Sequence, residues 1–138
     1  MVTKEEILKK LDDYLADCKI FYLTTVDGDR PKCRPLGFHL LEGSDLYFGV
    51  GTFKDVYKEM QENPMVEIVA SKPDGFVRFY GRAVFEPDYA MADSIVAGNK
   101  FLQGIYNDET GYKMGVFHLE DATVEFRSML KVEESFTY

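Results

Sequence analysis

Apolar positions near the start of the chain recur with the period of a helix. Ile7, Leu8, Leu11, Tyr14, Leu15 and Cys18 fall on one side, while Lys9, Lys10, Asp13 and Asp17 fall on the other. Thr3 and Glu6 stand three residues apart just ahead of this run, the spacing of a capping box. The pattern predicts an amphipathic helix. From Ile20 the period changes to that of strands. Ile20–Val26 is rich in β-branched and aromatic residues, and Asp27-Gly28-Asp29 signals a tight turn into a second strand, Lys32 to about Leu41. Pro31 and Pro35 offer no N–H to a ladder, so that strand is expected to be irregular or to lie on an edge. Glu42–Asp45 turns the chain into a third strand, Leu46–Val50.

Helical spacing returns at Lys54–Glu62, with Val56, Tyr57 and Met60 available for a core, and Asn63-Pro64 stops the helix. A fourth strand, Val66–Ser71, leads through Lys72-Pro73-Asp74-Gly75 into a long fifth, Phe76–Glu86. There Val77, Phe79, Gly81, Ala83 and Phe85 alternate with Arg78, Tyr80 and Arg82. Pro87 breaks this strand, helices are predicted over Tyr89–Ala97 and Lys100–Tyr106, and two strands follow, Met114–Leu119 and Ala122–Ser128. Six or seven short strands in meander order, with helices inserted, predict a mainly β domain spanning residues 1–138, an antiparallel barrel with the first helix packed across one end.

Composition narrows the function. With 138 residues, 46% of them apolar, a domain of this size buries roughly two thirds of its unfolded surface and needs no disulfide or metal. Cys18 and Cys33 form no CxxC pair, and with His39 and His118 they match no zinc spacing, so no metal site is expected. The net charge of −8 disfavours nucleic acids and anionic membranes as partners. No apolar run approaches the ~20 residues of a membrane span, and Met1–Lys10 shows no signal-peptide stretch. The expectation is a soluble, cytoplasmic protein. Neither GxGxxG nor a P-loop is present.

Two clusters could carry chemistry. Arg30-Pro31-Lys32-Cys33-Arg34-Pro35-Leu36-Gly37 gathers three cations around two prolines, and Gly49-Val50-Gly51-Thr52-Phe53-Lys54 leads from a strand into a helix. Glycine backbone admits close approach, and the first turn of a helix offers free N–H groups, so Thr52 and Lys54 there suit a phosphate. An ordinary tight turn with a solvated lysine is the other reading of the same residues. Arg34 reads equally as one half of an ion pair, Arg78 and Arg82 as the solvent face of a strand, and His39 and His118 as structural. No Ser-His-Asp or Cys-His set can be picked out by spacing.

Taken in order, FYLTTVDGDRPKCRPLGF, LYFGVGTFKDVYKEMQENPMVEI and FVRFYGRAVF resemble the pyridoxamine 5′-phosphate oxidase-like FMN-binding split-barrel family, nearest to small bacterial members of nitroimidazole-resistance type. The resemblance is good over residues 15–86 and looser over 122–129. It implies a six-stranded antiparallel split β-barrel that forms a homodimer, with FMN at the subunit interface. Carried over by position, Arg34, Pro35, Leu36 and Gly37 lie along the flavin ring and ribityl chain. Gly49, Val50 and Gly51 offer backbone to the ring edge, Thr52 and Lys54 hold the phosphate, and Lys58 assists one turn on. The stretch Tyr106–His118 of the partner is expected to close the pocket.

This sequence departs from that pattern in two places. Lys54-Asp55-Val56 stands where the full-length oxidases carry Ser-Arg-Lys, and the tail LKVEESFTY lacks the Arg and His that grip pyridoxal phosphate. Oxidation of vitamin B6 is therefore not expected. The resemblance implies instead a flavin-dependent oxidoreductase acting on a small electrophile, nitroaromatic or quinone, with NAD(P)H or another donor. The alternatives are a flavin binder without turnover, such as an electron carrier or stress protein, and a split barrel that takes haem or a deazaflavin.

Overall fold

Both halves of the capping box form. In the computed structural model, which describes residues 1–138, the Thr3 side chain accepts from the Glu6 N–H and the Glu6 carboxylate accepts from the Thr3 N–H at the start of α1 (Lys4–Cys18). Ile7, Leu8, Leu11 and Leu15 are buried, and Tyr14 and Cys18 lie half-buried against the same core. The strands β1 (Phe21–Asp27) and β2 (Arg30–Leu36) form a hairpin around Gly28-Asp29. Gly28 has φ 63°, the sign that primed hairpin turns require at their first loop position.

The expected second strand is in fact two. β2 ends at Leu36, and β3 (His39–Glu42) pairs with β4 (Asp45–Gly51) instead. With α2 (Asp55–Glu62), β5 (Met65–Lys72), β6 (Gly75–Phe85) and β7 (Met114–Ser128), the hydrogen-bonded order is β2-β1-β5-β6-β7-β4-β3, every pairing antiparallel. β2 and β3 are thus opposite edges of one sheet, yet only Gly37 and Phe38 join them. Three residue steps reach at most ~11 Å, so the sheet must curl until its edges nearly meet. That is a split barrel. It also explains the prolines, since Pro31 and Pro35 sit on an edge strand that pairs only with β1.

Two further boundaries differ from the pattern's prediction. Met114–Ser128 is one strand rather than two, because the apparent break at Glu120-Asp121 is a bulge. Tyr80 faces Thr123 and Arg82 faces Glu120, which leaves Asp121 and Ala122 opposite Gly81 alone. A Cβ on Gly81 would lie 2.8 Å from the Ala122 Cα, so the bulge closes only over a glycine. The tail, moreover, forms β8 (Val132–Thr137) along β7. With β8 and the split of β2 from β3, the sheet counts eight strands.

The core contains 22 buried apolar residues, among them Phe21, Phe48, Phe79 and Phe117, closed at one end by α1. A smaller cluster, Ala92, Leu102, Met114 and Val116, sits under α3 (Ala90–Ala97) and α4 (Lys100–Gln103). No helix is long and apolar enough to cross a membrane.

Candidate functional site

Pairing of β4 with β7 sets Gly51 opposite Met114 and so brings Lys113 to the β4–α2 turn. The Lys113 carbonyl accepts from the Thr52 N–H at 2.9 Å and from the Thr52 hydroxyl at 3.3 Å, while the Lys54 N–H donates to the Gly51 carbonyl at 3.0 Å. Phe53 and Tyr112 stack over the same junction, centroids 3.7 Å apart and planes at 15°. The turn is therefore fixed by a partner 61 residues away.

Lys54 is the N-cap residue of α2, extended at φ −90° and ψ 155°, and its side chain caps nothing. The N–H groups of the first turn thus have no side-chain acceptor and carry the positive end of the helix dipole. Lys54, Lys58 and Lys113 are exposed and pair with no carboxylate. Two of the charged ends lie near rings, Lys54 Nζ 5.9 Å from the Phe53 centroid and Lys113 Nζ 5.7 Å from that of Tyr89. On a chain of net charge −8, unpaired cations beside a helix start are a feature that suits an anion, although Asp55 stands in the same turn.

The glycines there have a packing role of their own. A Cβ on Gly49 would lie 2.6 Å from Met114 Sδ, and one on Gly51 would lie 2.6 Å from the Phe53 ring. Val50 between them is buried in the core. On β2, Pro35 is exposed, Leu36 packs half-buried on the core, and Gly37 begins the crossing between the edges.

Arg34 has its partners inside the molecule. Its Nη2 donates to Glu59 Oε1 at 2.9 Å, and its Nη1 to Thr25 Oγ1 at 2.7 Å and to the Leu23 and Lys32 carbonyls at 3.2 and 3.3 Å. The Thr25 hydroxyl donates to the same Glu59 oxygen at 2.6 Å. Glu59 projects from the middle of α2 and its side chain is only 10% exposed.

The remaining candidates are held structurally. Arg78 grips Glu67 with two bonds of 2.6 and 2.8 Å, and Arg82 pairs with Glu120 and Asp121. His39 meets Asp12 at 2.6 Å and His118 meets Glu120 at 2.8 Å. No group of three or more His, Cys, Asp or Glu side chains could hold a metal ion.

Two hollows adjoin the turn. One of about 120 Å³ is lined by Thr52, Tyr57, Phe85 and Gly115. The other, about 360 Å³, lies between α3 and the 106–114 segment and is lined by Tyr106, Tyr112 and Lys113. Tyr89 and Met114 border both. Burial pushes the Tyr106 hydroxyl above its ordinary pKa of 10.0, so it remains a donor at neutral pH.

The structure thus places Thr52 and Lys54 at the start of α2 and Lys58 one turn further on, and ties Arg34 to that helix through Glu59. It leaves Pro35–Gly37 along the edge. Glu59 is an addition that local sequence could not supply, because a side-chain bond brings it in from a distance, and within the expected stretch Tyr106–His118 it is Tyr112 and Lys113 that reach the turn. The stretch Tyr106–His118, expected to serve a partner subunit, meets its own chain's turn at Lys113.

The sequence model described as pyridoxamine 5′-phosphate oxidase matches residues 7–123. No curated protein matches the chain. Among solved structures, a NimC/NimA family protein from Clostridium acetobutylicum superposes with a TM-score of 0.84 at 25% identity, covering 98% of this chain and 96% of that one. A haem-binding protein from Mycobacterium smegmatis gives 0.66 at 14% identity over 99% of this chain and 59% of its own. An FAD-binding protein from Mesorhizobium loti gives 0.59 at 14%, covering 87% and 94%.

Proposed function

Because the chain belongs to the pyridoxamine 5′-phosphate oxidase family, we propose that it binds FMN with the phosphate at the start of α2. The observation that carries this reading is the first turn of α2, which no side chain caps and beside which Lys54 and Lys58 make no ion pair, Asp55 being its one acid. A phosphate gains there from free N–H groups, from the helix dipole and from charge-assisted bonds together. Thr52, Lys54 and Lys58 hold it, and Lys113 adds a third cation from the other side of the turn. Arg34–Gly37 and Gly49–Gly51 follow the ring and ribityl chain, with the Arg34 side chain turned beneath toward α2. The FAD-binding protein of the same fold supports a flavin in this architecture.

FMN, when bound, supplies hydride chemistry, and the residues around it bind, orient and exclude water. We assign the protein as a cytoplasmic flavin-dependent oxidoreductase for a small electrophile of nitroaromatic or quinone type, with NAD(P)H or another donor. The tyrosine-lined cavity of about 360 Å³ beside the turn suits a molecule of that size. The working unit is a homodimer with FMN at its interface.

The visible spectrum of the purified protein, followed by titration with FMN, tests the reading. Flavin absorption bands, or quenching of FMN fluorescence at micromolar protein, are expected. A colourless protein that leaves FMN fluorescence unchanged overturns it. A Soret band instead would place the chain with its haem-binding neighbour. Binding without NAD(P)H-driven reduction of any nitroaromatic or quinone would leave a carrier or stress protein.

A further inference from the structure

Glu59 is the one carboxylate that α2 turns inward, and nothing in the phosphate site calls for it there. It occupies a core-facing position between Val56 and Met60, both buried. An apolar residue would serve that position at lower cost, since a buried ion pair is often no more stable than well-packed hydrophobic side chains. What such a pair supplies instead is direction. Hydrogen bonds to Thr25 on β1 and Arg34 on β2 admit one placement of the helix, whereas apolar contacts tolerate sliding.

We propose that Glu59, Arg34 and Thr25 form a clamp that positions α2 on the β1–β2 hairpin, and that the clamp, not direct contact by the Arg34 guanidinium, is what these residues contribute to anion binding. The proposal rests on the phosphate-site reading and deepens it. Arg34 reaches four acceptors, at 2.7 to 3.3 Å. Turning toward an anion would leave Glu59, 10% exposed, with Thr25 as its only remaining partner. Stranding a buried carboxylate in this way is costly, so the fork stays where it is. The ligand's charge then falls to Lys54, Lys58, Lys113 and the first-turn N–H groups. Lys54, Lys58 and those N–H groups move with α2, whose start is held by the Thr52–Lys113 bonds and whose own side-chain hydrogen bonds to the sheet lie a turn further on, at Glu59. Thr25, itself fully buried, completes the clamp by donating to Glu59 and accepting from Arg34.

Glu59→Gln separates the two roles. If the Arg34 guanidinium contacted the ligand, removing the Glu59 charge would release it and FMN binding would hold or tighten. If the clamp positions α2, the FMN dissociation constant rises at least about tenfold, the size of one charge-assisted hydrogen bond, while Lys54 and Lys58 remain in place. A dissociation constant equal to or below that of the wild type overturns the proposal. The pair Arg34→Met with Glu59→Met distinguishes positioning from mere stability. Its thermal midpoint is expected to stay within a few degrees while FMN affinity falls, and unchanged affinity overturns the clamp. Should that variant fail to fold, Thr25→Val removes two of the bonds at nearly constant shape, and an unchanged FMN dissociation constant there is equally decisive. Should the wild type itself take up no FMN, the flavin reading fails by itself. The clamp is then read in the amide spectrum of Glu59→Gln, where Asp55 and Val56 signals shift and β6 signals stay; unmoved Asp55 and Val56 amides overturn it.

Discussion

Lys54 is a free ammonium on a crowded acidic chain, and its lack of a carboxylate partner is what makes it informative. Replacing it with alanine removes one charge-assisted contact to the phosphate, worth roughly 1.5–3 kcal/mol. FMN affinity measured by fluorescence quenching is therefore expected to fall at least about tenfold, with the thermal midpoint unchanged. Unaltered affinity would remove Lys54 from the site. Glu125 is the contrasting residue, a carboxylate with every partner it could use. The Tyr80 hydroxyl donates to it first of all, Arg127 bonds it at 2.6 Å, and Arg78 stands 4.0 Å away. Together these hold it below its ordinary pKa of 4.5. A carboxylate depressed on folding stabilises the fold fully above its unfolded value and loses that contribution as pH falls through the folded one. Urea melts between pH 7 and pH 3 are expected to show a shallower loss of stability in Glu125→Gln than in the wild type. Equal slopes would mean that the cluster adds nothing to acid stability.

Among the elements, those whose information is local could be read directly from the sequence. The capping box and apolar stripe of α1, the Asp27–Asp29 turn and the alternation of β6 each appear within a dozen residues, and each is present in the fold. β8 could not be read this way, because Val132, Glu133 and Ser135 lie exposed and only Phe136 joins the core margin. Its pairing with β7 comes from tertiary position rather than pattern. The break at Gly37 was hidden for a related reason, since nothing local tells a continuing strand from one that crosses to the opposite edge. At the site, the Thr52–Lys54 turn was legible, but nothing local marks Glu59 as an inward-facing carboxylate, since its partner Arg34 lies 25 residues away. The bulge at Asp121-Ala122 offers a test at this scale. Gly81→Ala drives a Cβ to 2.8 Å from the Ala122 Cα and 3.0 Å from the Glu120 carbonyl, backbone atoms that cannot swing aside. Overpacking of this kind costs about 1–3 kcal/mol, and denaturant melts are expected to show it. A neutral outcome would mean that the bulge relaxes into ordinary pairing.

For the molecule as a whole, the question is how a chain of net charge −8 could meet a copy of itself. Self-repulsion opposes association unless the contact face is locally neutral. The outer face of β1, β5 and β6 meets that condition. Its charges are already paired, Glu67 with Arg78, and Glu125 with Arg127 on the neighbouring strand. Between them Tyr22 and Met65 stand 48% and 52% exposed, and a shallow hollow of about 260 Å³ runs from Thr24 and Pro31 to Tyr80. A neutral, apolar-centred patch with a polar rim is the form that protein interfaces take. If the flavin site is shared between subunits, dimerisation and FMN uptake are linked, and each strengthens the other by mass action. Sedimentation velocity is therefore expected to show a dimer. Tyr22→Glu, which places an unpaired charge on the patch, is expected to shift it toward monomer, to weaken FMN binding in parallel and to make that binding depend on protein concentration. A Tyr22→Glu monomer that binds FMN as tightly as the wild type would show the site to be complete within one subunit, with dimer formation irrelevant to it.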